Sequence, residues 1–362
     1  MHLYLHVPFC HRICPYCSFY KHTPGGTDIG AFVEALLTEA EFAQKKDLSA
    51  LKTIYLGGGT PSMLSPKHLT RLFTGLRQHF DFNTLDEVTL EANPATFTAK
   101  TAGLYADLGV TRVSLGIQSF HPDHLKTLGR EHTSEQARSS VAAIQEPGSL
   151  EVNIDLIFSV PGQTHSDWES TLKEALAAKP DHISAYNLTY EEDTAFFDQF
   201  EKGNYQDDPD LNAKMFSLAQ DLLTSAGYEH YETSNYALPG KRSQHNAGYW
   251  TGNDYLGLGP SAVSTINRLR WQNVCDTASY LKRIDAVGHA QDSTEELDNE
   301  AWRLERLALQ LRTIEGLPKK FVLPESDLTH LKEQNLIEET KTHLRLTGDG
   351  PLLVDSIAAE LA

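Results

Sequence analysis

Three of the four cysteines in this 362-residue chain fall within eight residues, in Cys10-His-Arg-Ile-Cys14-Pro-Tyr-Cys17. The spacing C-x3-C-x2-C puts three soft donors on one short loop. A secreted disulfide scaffold would carry more cysteine and spread it along the chain, so the cluster points to a metal or redox cofactor. Three thiolates can hold three corners of a cubane iron–sulfur cluster. The fourth iron is then left with an open coordination position, where a small molecule can bind. A structural zinc site is the competing reading, with His11 or His22 as its fourth ligand. Cys275 lies far along the chain and receives no role.

Other residue types that can do chemistry recur at intervals. Gly57-Gly58-Gly59-Thr60 offers backbone without Cβ obstruction to a close neighbour, and it lacks the lysine of a phosphate-binding P-loop. Glu91-Ala-Asn93-Pro94, Gln118-Ser-Phe120 and Arg130 follow. Asp155 sits inside the apolar run Val152–Phe158, where a carboxylate must be hydrogen-bonded or paired. Each of these, taken singly, could be a cap, a salt bridge or a satisfied core residue. Further on, His245-Asn246-Ala-Gly-Tyr249-Trp250 places an imidazole beside two flat aromatic rings. A neutral imidazole is a good ligand for heme iron, and the rings offer apolar surface to a macrocycle.

Most of these groups fall at the ends of predicted strands. Six short β-like runs, Leu3–Phe9, Thr53–Leu56, Glu87–Glu91, Arg112–Ile117, Val152–Phe158 and His182–Leu188, alternate with amphipathic stretches over 29–44, 66–80, 98–108, 134–144 and 166–178. Repeated strand–helix units force a parallel sheet, because each helix must cross over before the next strand pairs. Six units are two short of a closed eight-fold barrel. The expectation is therefore an α/β fold, a partial (β/α)6 barrel over residues 1–206, with ligands at the carboxyl ends of the strands. Residues 207–297 begin with a helix over 210–226 and then read as a mixed loop and strand segment closing the site. Residues 298–362 read as a small winged-helix-like module: a helix through Ile314, a second near Glu325–Gln334, a hairpin of Leu336–Thr340 with His343–Thr347, and a last helix from about Leu352.

Composition excludes other classes. Acidic residues number 49 against 31 basic ones, a net charge of −18, and such a chain is a poor partner for phosphate backbones. The tail carries twelve acidic and eight basic residues, so its winged-helix order does not signal DNA binding. No apolar run approaches a membrane span, and the first residues lack the charged start of a signal peptide. The expected location is the cytoplasm, with at most peripheral contact at the inner face of the membrane.

The segment from Tyr4 through Cys17 resembles the start of the radical S-adenosylmethionine (SAM) proteins, and within them the branch containing oxygen-independent coproporphyrinogen III oxidase and the HemW heme chaperones. Leu108–Phe120 and Asn153–Ile157 extend the likeness, which covers nearly the whole chain. The resemblance implies a [4Fe-4S] cluster on Cys10, Cys14 and Cys17, and S-adenosyl-L-methionine held by Tyr4, Tyr16, Gly58, Gly59, Thr60, Glu91, Gln118, Arg130 and Asp155. The cysteine that the oxidase carries two residues after the third is here Phe19, and the oxidase's N-terminal extension is missing. His245-Asn246-x-x-Tyr249-Trp250 is similar to the H-N-x-x-Y-W motif of the chaperones, which implies heme as cargo and apo-hemoproteins, respiratory ones among them, as recipients. A flavodoxin or ferredoxin would be the electron donor, and a homodimer is left open. The alternative the resemblance carries is radical decarboxylation of coproporphyrinogen propionates.

Overall fold

The computed structural model describes residues 1–45, 49–94, 96–324 and 327–362. Six parallel strands, β1 (His2–Val7), β2 (Thr53–Gly58), β3 (Glu87–Ala92), β4 (Arg112–Gln118), β5 (Glu151–Phe158) and β6 (His182–Asn187), stand side by side in sequence order. Between them run α1 (Ile29–Gln44), α2 (Pro66–His79), α3 (Ala99–Asp107), α4 (Pro122–Thr127) with α5 (Ser134–Gln145), and α6 (His165–Ala177). Helix starts are encoded locally. Ser65 accepts from the His68 amide with Pro66 at the first helical position, and Thr133 forms a capping box with Gln136.

The strands have two different faces because side chains alternate along them. Leu3, Leu5 and Val7, Ile54 and Leu56, Val88 and Leu90, and Val152, Ile154 and Leu156 turn outward and are buried against Phe32, Leu36, Phe73, Tyr105, Val141 and Trp168 of the helices. At about 25 cal/mol per Å2 of apolar surface removed from water, this shell is the main source of stability. The alternate positions, His2, Tyr4, Thr53, Tyr55, Glu87, Glu91, Arg112, Ser114, Asn153 and Asp155, form a polar interior.

The stretch beyond the sixth strand is more regular than the sequence suggests. After α7 (Ala195–Glu201) and α8 (Pro209–Ser225), the strands β7 (Glu229–Glu232) and β8 (Asn235–Ala237) add antiparallel pairs beside β6. Residues 244–250 form α9 (Gln244–Trp250). Strand β9 (Tyr255–Leu258) then returns to pair parallel with β1, and β10 (Val263–Ile266), β11 (Leu269–Asn273) and β12 (Gln291–Glu296) continue outward, with α10 (Thr277–Val287) covering them. The result is one open twelve-stranded sheet, β12-β11-β10-β9-β1-β2-β3-β4-β5-β6-β8-β7. Glu39 of α1 sews the extension on: its buried carboxylate accepts from the Gly259 amide, Asn273 and the Tyr280 hydroxyl at 2.9, 2.8 and 2.7 Å.

The tail has its own apolar cluster around Leu307, Leu317, Phe321, Ile337, Leu344 and Ile357. Its first helix, α11 (Asn299–Gln310), stops short of Ile314 because the chain turns at Thr313 to reach Gly316, which has a φ of +79°. Strand β13 (Leu317–Pro318), helix α12 (Thr329–Glu333), the hairpin of β14 (Ile337–Glu339) and β15 (His343–Leu346), and α13 (Val354–Leu361) complete it. Glu325 and Ser326, with which the second tail helix was expected to start, lie outside the described residues. Among the described residues no helix is long and apolar enough to cross a membrane.

Candidate functional site

The cysteine loop leaves β1 and is pinned before the first thiol. The Cys10 amide donates to the His22 carbonyl at 3.0 Å and the His22 amide to the Pro8 carbonyl at 2.9 Å, a parallel bridge between Phe9 and His22. The three thiols are free and partly buried. Thr60 presents its hydroxyl to Cys10 Sγ at 3.7 Å, and Arg130 Nη1 lies 3.5 Å from Cys14 Sγ. Lys21 Nζ donates to the Cys17 carbonyl. Burial pushes the Cys10 and Cys17 thiols up; a bound cation inverts that preference and holds them as thiolates. The two histidines that could complete a zinc site are engaged elsewhere. His11 pairs with Glu131 at 2.8 Å, and both ring nitrogens of His22 are bonded, to Thr23 and Thr277. Among the described residues no three His, Cys, Asp or Glu side chains stand ready to hold a metal ion, so the preference for an open cubane over tetrahedral zinc rests on the cysteine spacing and on both histidines being engaged elsewhere.

The loop after β2 explains its glycines. Gly58 has a φ of +104°, and a Cβ there would meet the His6 ring at 2.5 Å. A Cβ on Gly59 would meet the backbone of Val7–Phe9 at 2.7–2.8 Å. The close neighbours they admit in this structure are the His6 ring of β1, at Gly58, and the start of the cysteine loop, at Gly59. That approach lets the Thr60 amide donate to the Phe9 carbonyl at 2.8 Å and aims its hydroxyl at Cys10.

The remaining strand-end residues form two groups. In the first, Arg130, after α4, reaches back to the Asn93 side chain and to the Gly116 carbonyl, the latter at 2.6 Å, while Asn93 donates to Thr60 at 3.0 Å. Gln118, held at a φ of +67°, has its amide beside Gly116 in the same group. Tyr16 packs on Phe196, with its hydroxyl near Arg130 and Cys14, and burial pushes that hydroxyl up. The second group is acidic. Glu91 accepts from the Tyr55 hydroxyl at 2.8 Å and the Gly58 amide at 3.2 Å; Asp155 accepts from Ser114 at 2.7 Å and Asn153 at 2.8 Å. Burial raises both, Glu91 to about 7. Tyr4 stacks on Tyr55 below them. A cleft of about 390 Å3, walled by Cys14, Thr60, Met63, Asn93 and Arg130, opens beside the loop. Glu91 and Asp155 lie outside the lining of that cleft, deeper in the interior. As buried carboxylates near the ends of their strands they suit a sulfonium and an ammonium group, the cationic parts of S-adenosylmethionine.

The His245 motif lies elsewhere. Helix α9 closes the opposite mouth of the barrel, at the amino ends of the strands. Glu87, at the first residue of β3, accepts from the Ser243 hydroxyl and from the amides of Gln244 and His245 at 3.0–3.2 Å, completing the helix N-terminus with a negative charge. The same carboxylate is held by Arg112, which also pairs with Glu151 at 2.6 Å. His245 is 1% exposed; it stacks on Tyr55, with Tyr249 edge-on at 5.0 Å. Trp250 reaches the buried carboxylate of Glu232. Asn246 lines a small polar cavity of about 20 Å3 together with Ser243, Ser114, Asp155 and Tyr186. In this conformation none of the four motif residues is fully exposed, and His245 is sealed.

Tyr55, Ser114, Asn153, Glu87 and Arg112 escaped the sequence reading as site residues. Their signal was the alternation of polar residues along each strand, masked by the apolar residues between them.

A model of the Radical SAM superfamily matches residues 4–175. The chain is 36% identical to the heme chaperone HemW of Lactococcus lactis subsp. lactis, over 96% of this chain and 93% of that relative. It is 35% identical to the heme chaperone HemW of Mycobacterium tuberculosis, over 99% of this chain and 94% of that one. Among solved structures, coproporphyrinogen III oxidase (HemN) from Escherichia coli superposes with a TM-score of 0.85 at 24% identity, over 99% of this chain and 89% of the other. The open sheet, with its cysteine loop after the first strand, is thus the partial barrel of radical SAM proteins. With similarity running along almost its whole length, the chain belongs to the HemW family within that superfamily.

Proposed function

We propose that the chain is a heme chaperone: it binds heme and delivers it to apo-hemoproteins, on a scaffold that holds a [4Fe-4S] cluster and S-adenosylmethionine. The observation that carries this reading is the near full-length similarity to relatives named as heme chaperones. Cys10, Cys14 and Cys17 would hold the cluster. Tyr4, Tyr16, Gly58, Gly59, Thr60, Glu91, Gln118, Arg130 and Asp155 would surround S-adenosylmethionine. When bound, that pair supplies one-electron reductive cleavage of the sulfonium, fed by a flavodoxin or ferredoxin; Arg130 and Thr60 orient the cysteine loop, and the buried carboxylates hold the cationic end.

His245 would be the axial ligand of heme, with Asn246, Tyr249 and Trp250 against the macrocycle. Burial holds its imidazole neutral, down to about 3, and among the described residues its Nε2 has no hydrogen-bond partner, so the nitrogen that would ligate is not engaged elsewhere. Heme reaches it only once the Tyr249 ring swings aside. Recipients would be respiratory hemoproteins at the cytoplasmic face of the membrane.

The oxidase reading finds less support. Phe19, where the oxidase carries its further cysteine, is 66% exposed and joins no ligand set. An anaerobic heme titration of the cluster-loaded protein tests the proposal. Saturable binding near one heme per chain, lost in His245→Ala, is expected. Absence of saturable binding, with turnover of coproporphyrinogen instead, would overturn it.

A further inference from the structure

His245 does not stand alone on the barrel floor. Its Nδ1 lies 2.6 Å from Thr53 Oγ1, and the same hydroxyl lies 2.8 Å from Nδ1 of His2. His2 Nε2 in turn lies 3.3 Å from the side-chain amide of Asn253. Thr53 is fully buried, His2 is 5% exposed, and the His2 ring rests against Gly248 of α9, where a Cβ would meet it at 2.3 Å. The four side chains come from β1, β2, α9 and the loop after α9.

A threonine hydroxyl has one proton, so it can donate to only one of two imidazoles and must accept from the other. The tautomers of His2 and His245 are therefore tied together. If Thr53 donates to His245, then His245 carries its proton on Nε2 and cannot ligate iron there. If His245 donates from Nδ1, its Nε2 presents a lone pair, Thr53 donates to His2, and His2 gives its Nε2 proton to the Asn253 oxygen. The amide nitrogen of Asn253 now faces His2 Nε2, which sets the first arrangement. A half-turn of that exposed amide sets the second.

We propose that Thr53 and His2 are positioning residues for His245, with Asn253 at the end of the relay, and that together they set which tautomer His245 shows to an iron-bearing ligand. The proposal rests on the reading of His245 as the heme ligand. On ligation the His245 Nε2 proton passes to solvent, the Thr53 hydroxyl proton moves to His245 Nδ1, the His2 Nδ1 proton moves to Thr53, and a proton from solvent enters at His2 Nε2 beside Asn253. Charge and proton count are conserved, and the imidazole acquires the Nδ1–H···O bond that orients ligating histidines in metal sites.

The test begins without heme. Nitrogen-15 NMR of histidine-labelled, cluster-loaded protein should show His245 as one tautomer in the wild type and as a mixture in Thr53→Val, which keeps the volume and removes the hydroxyl. Thr53→Ser should restore the single form, and Asn253→Ala, at an exposed position, should give a smaller change of the same kind. With heme added, Thr53→Val should weaken binding about ten-fold and alter the absorption spectrum, as loss of an outer-shell partner does, and Thr53→Ser should rescue both. Identical tautomers and spectra in Thr53→Val and wild type, with heme lost in His245→Ala, would overturn the relay and leave the chaperone reading standing. A wild-type spectrum in His245→Ala would overturn the ligand assignment, and the relay's purpose with it.

Discussion

The two mouths of the barrel are built in opposite ways. At the carboxyl ends of the strands the thiols and Arg130 hang on loops beside the strand-borne Glu91 and Asp155, and the glycines at 58 and 59 let β2 and the chain after it pass close to His6 and the start of the cysteine loop. At the amino ends the groups lie on the strands themselves, and a seven-residue helix is set onto them by a carboxylate. The upper mouth is partly open and carries raised acids and free thiols. The lower one is sealed, and its central imidazole has no exposed surface. Loops tolerate the entry of a cofactor; a strand-borne, closed floor favours a group that is offered only after a ring moves.

The largest expected effect separates the mouths outright. Cys14→Ala should remove iron and sulfide from the reconstituted protein while far-ultraviolet circular dichroism stays unchanged, since a loop thiol contributes little core. Full iron content would break the ligand assignment. Heme binding that persists in this variant would show that the floor works without the cluster.

Next comes the seat of α9. Glu87→Ala strips the buried Arg112 of one partner and leaves the first amides of α9 without an acceptor, at a cost of about 3 kcal/mol in urea unfolding. Amide exchange should rise across residues 244–250 and remain slow around Cys10–Cys17. Equal acceleration at both ends would dissolve the contrast.

A pH profile sharpens it from above. Glu91 is pushed up to about 7 from an ordinary 4.5. The fold therefore keeps a proton that the unfolded chain releases first. Stability should be full below about pH 4.5, fall as pH rises, and level off above about 7, by on the order of 3 kcal/mol for this group. Glu39, on the flank, is raised to the same value and contributes in the same window. Relative to wild type, Glu91→Gln should remove this contribution, and adding Glu39→Gln should remove its counterpart on the flank. An unchanged slope in the single variant would mean that water reaches Glu91.

The smallest effect probes the tail's hold on the floor. Arg306 and Gln310 of α11 both donate to the Thr251 carbonyl at the end of α9, at 3.2 and 2.9 Å. Arg306→Ala should cost about 1 kcal/mol and loosen exchange at Tyr249–Thr251. No change there would confine the tail's contact with α9 to packing.

Much of the upper mouth was legible because its determinants are local. Six short β-like runs alternating with amphipathic stretches marked the strands and helices, and three cysteines within eight residues marked a ligand loop. Thr60 meets Cys10 and Arg130 meets Cys14, at 3.7 and 3.5 Å from the sulfur. The floor was not legible. The segment 244–250 is short and contains Gly248, a poor helix former, and what seats it is Glu87, 158 residues from His245. Strand β9 finds β1 across some 250 residues, and nothing in Tyr255–Leu258 announces a parallel partner. Pairings of that range are set by the whole core, not by a local pattern.

The bridge between Phe9 and His22 has a consequence for how the cluster is acquired. Bringing together the ends of a flexible loop of this length costs about 2 kcal/mol of chain entropy beyond a constant. Here the sheet meets that cost when β1 folds, because the bridge continues the strand. The ends of the loop that carries the three thiols are then already fixed when iron arrives, and their closure costs nothing further on ligation. Oxygen that strips the cluster should leave a folded vessel, ready to be refilled without refolding.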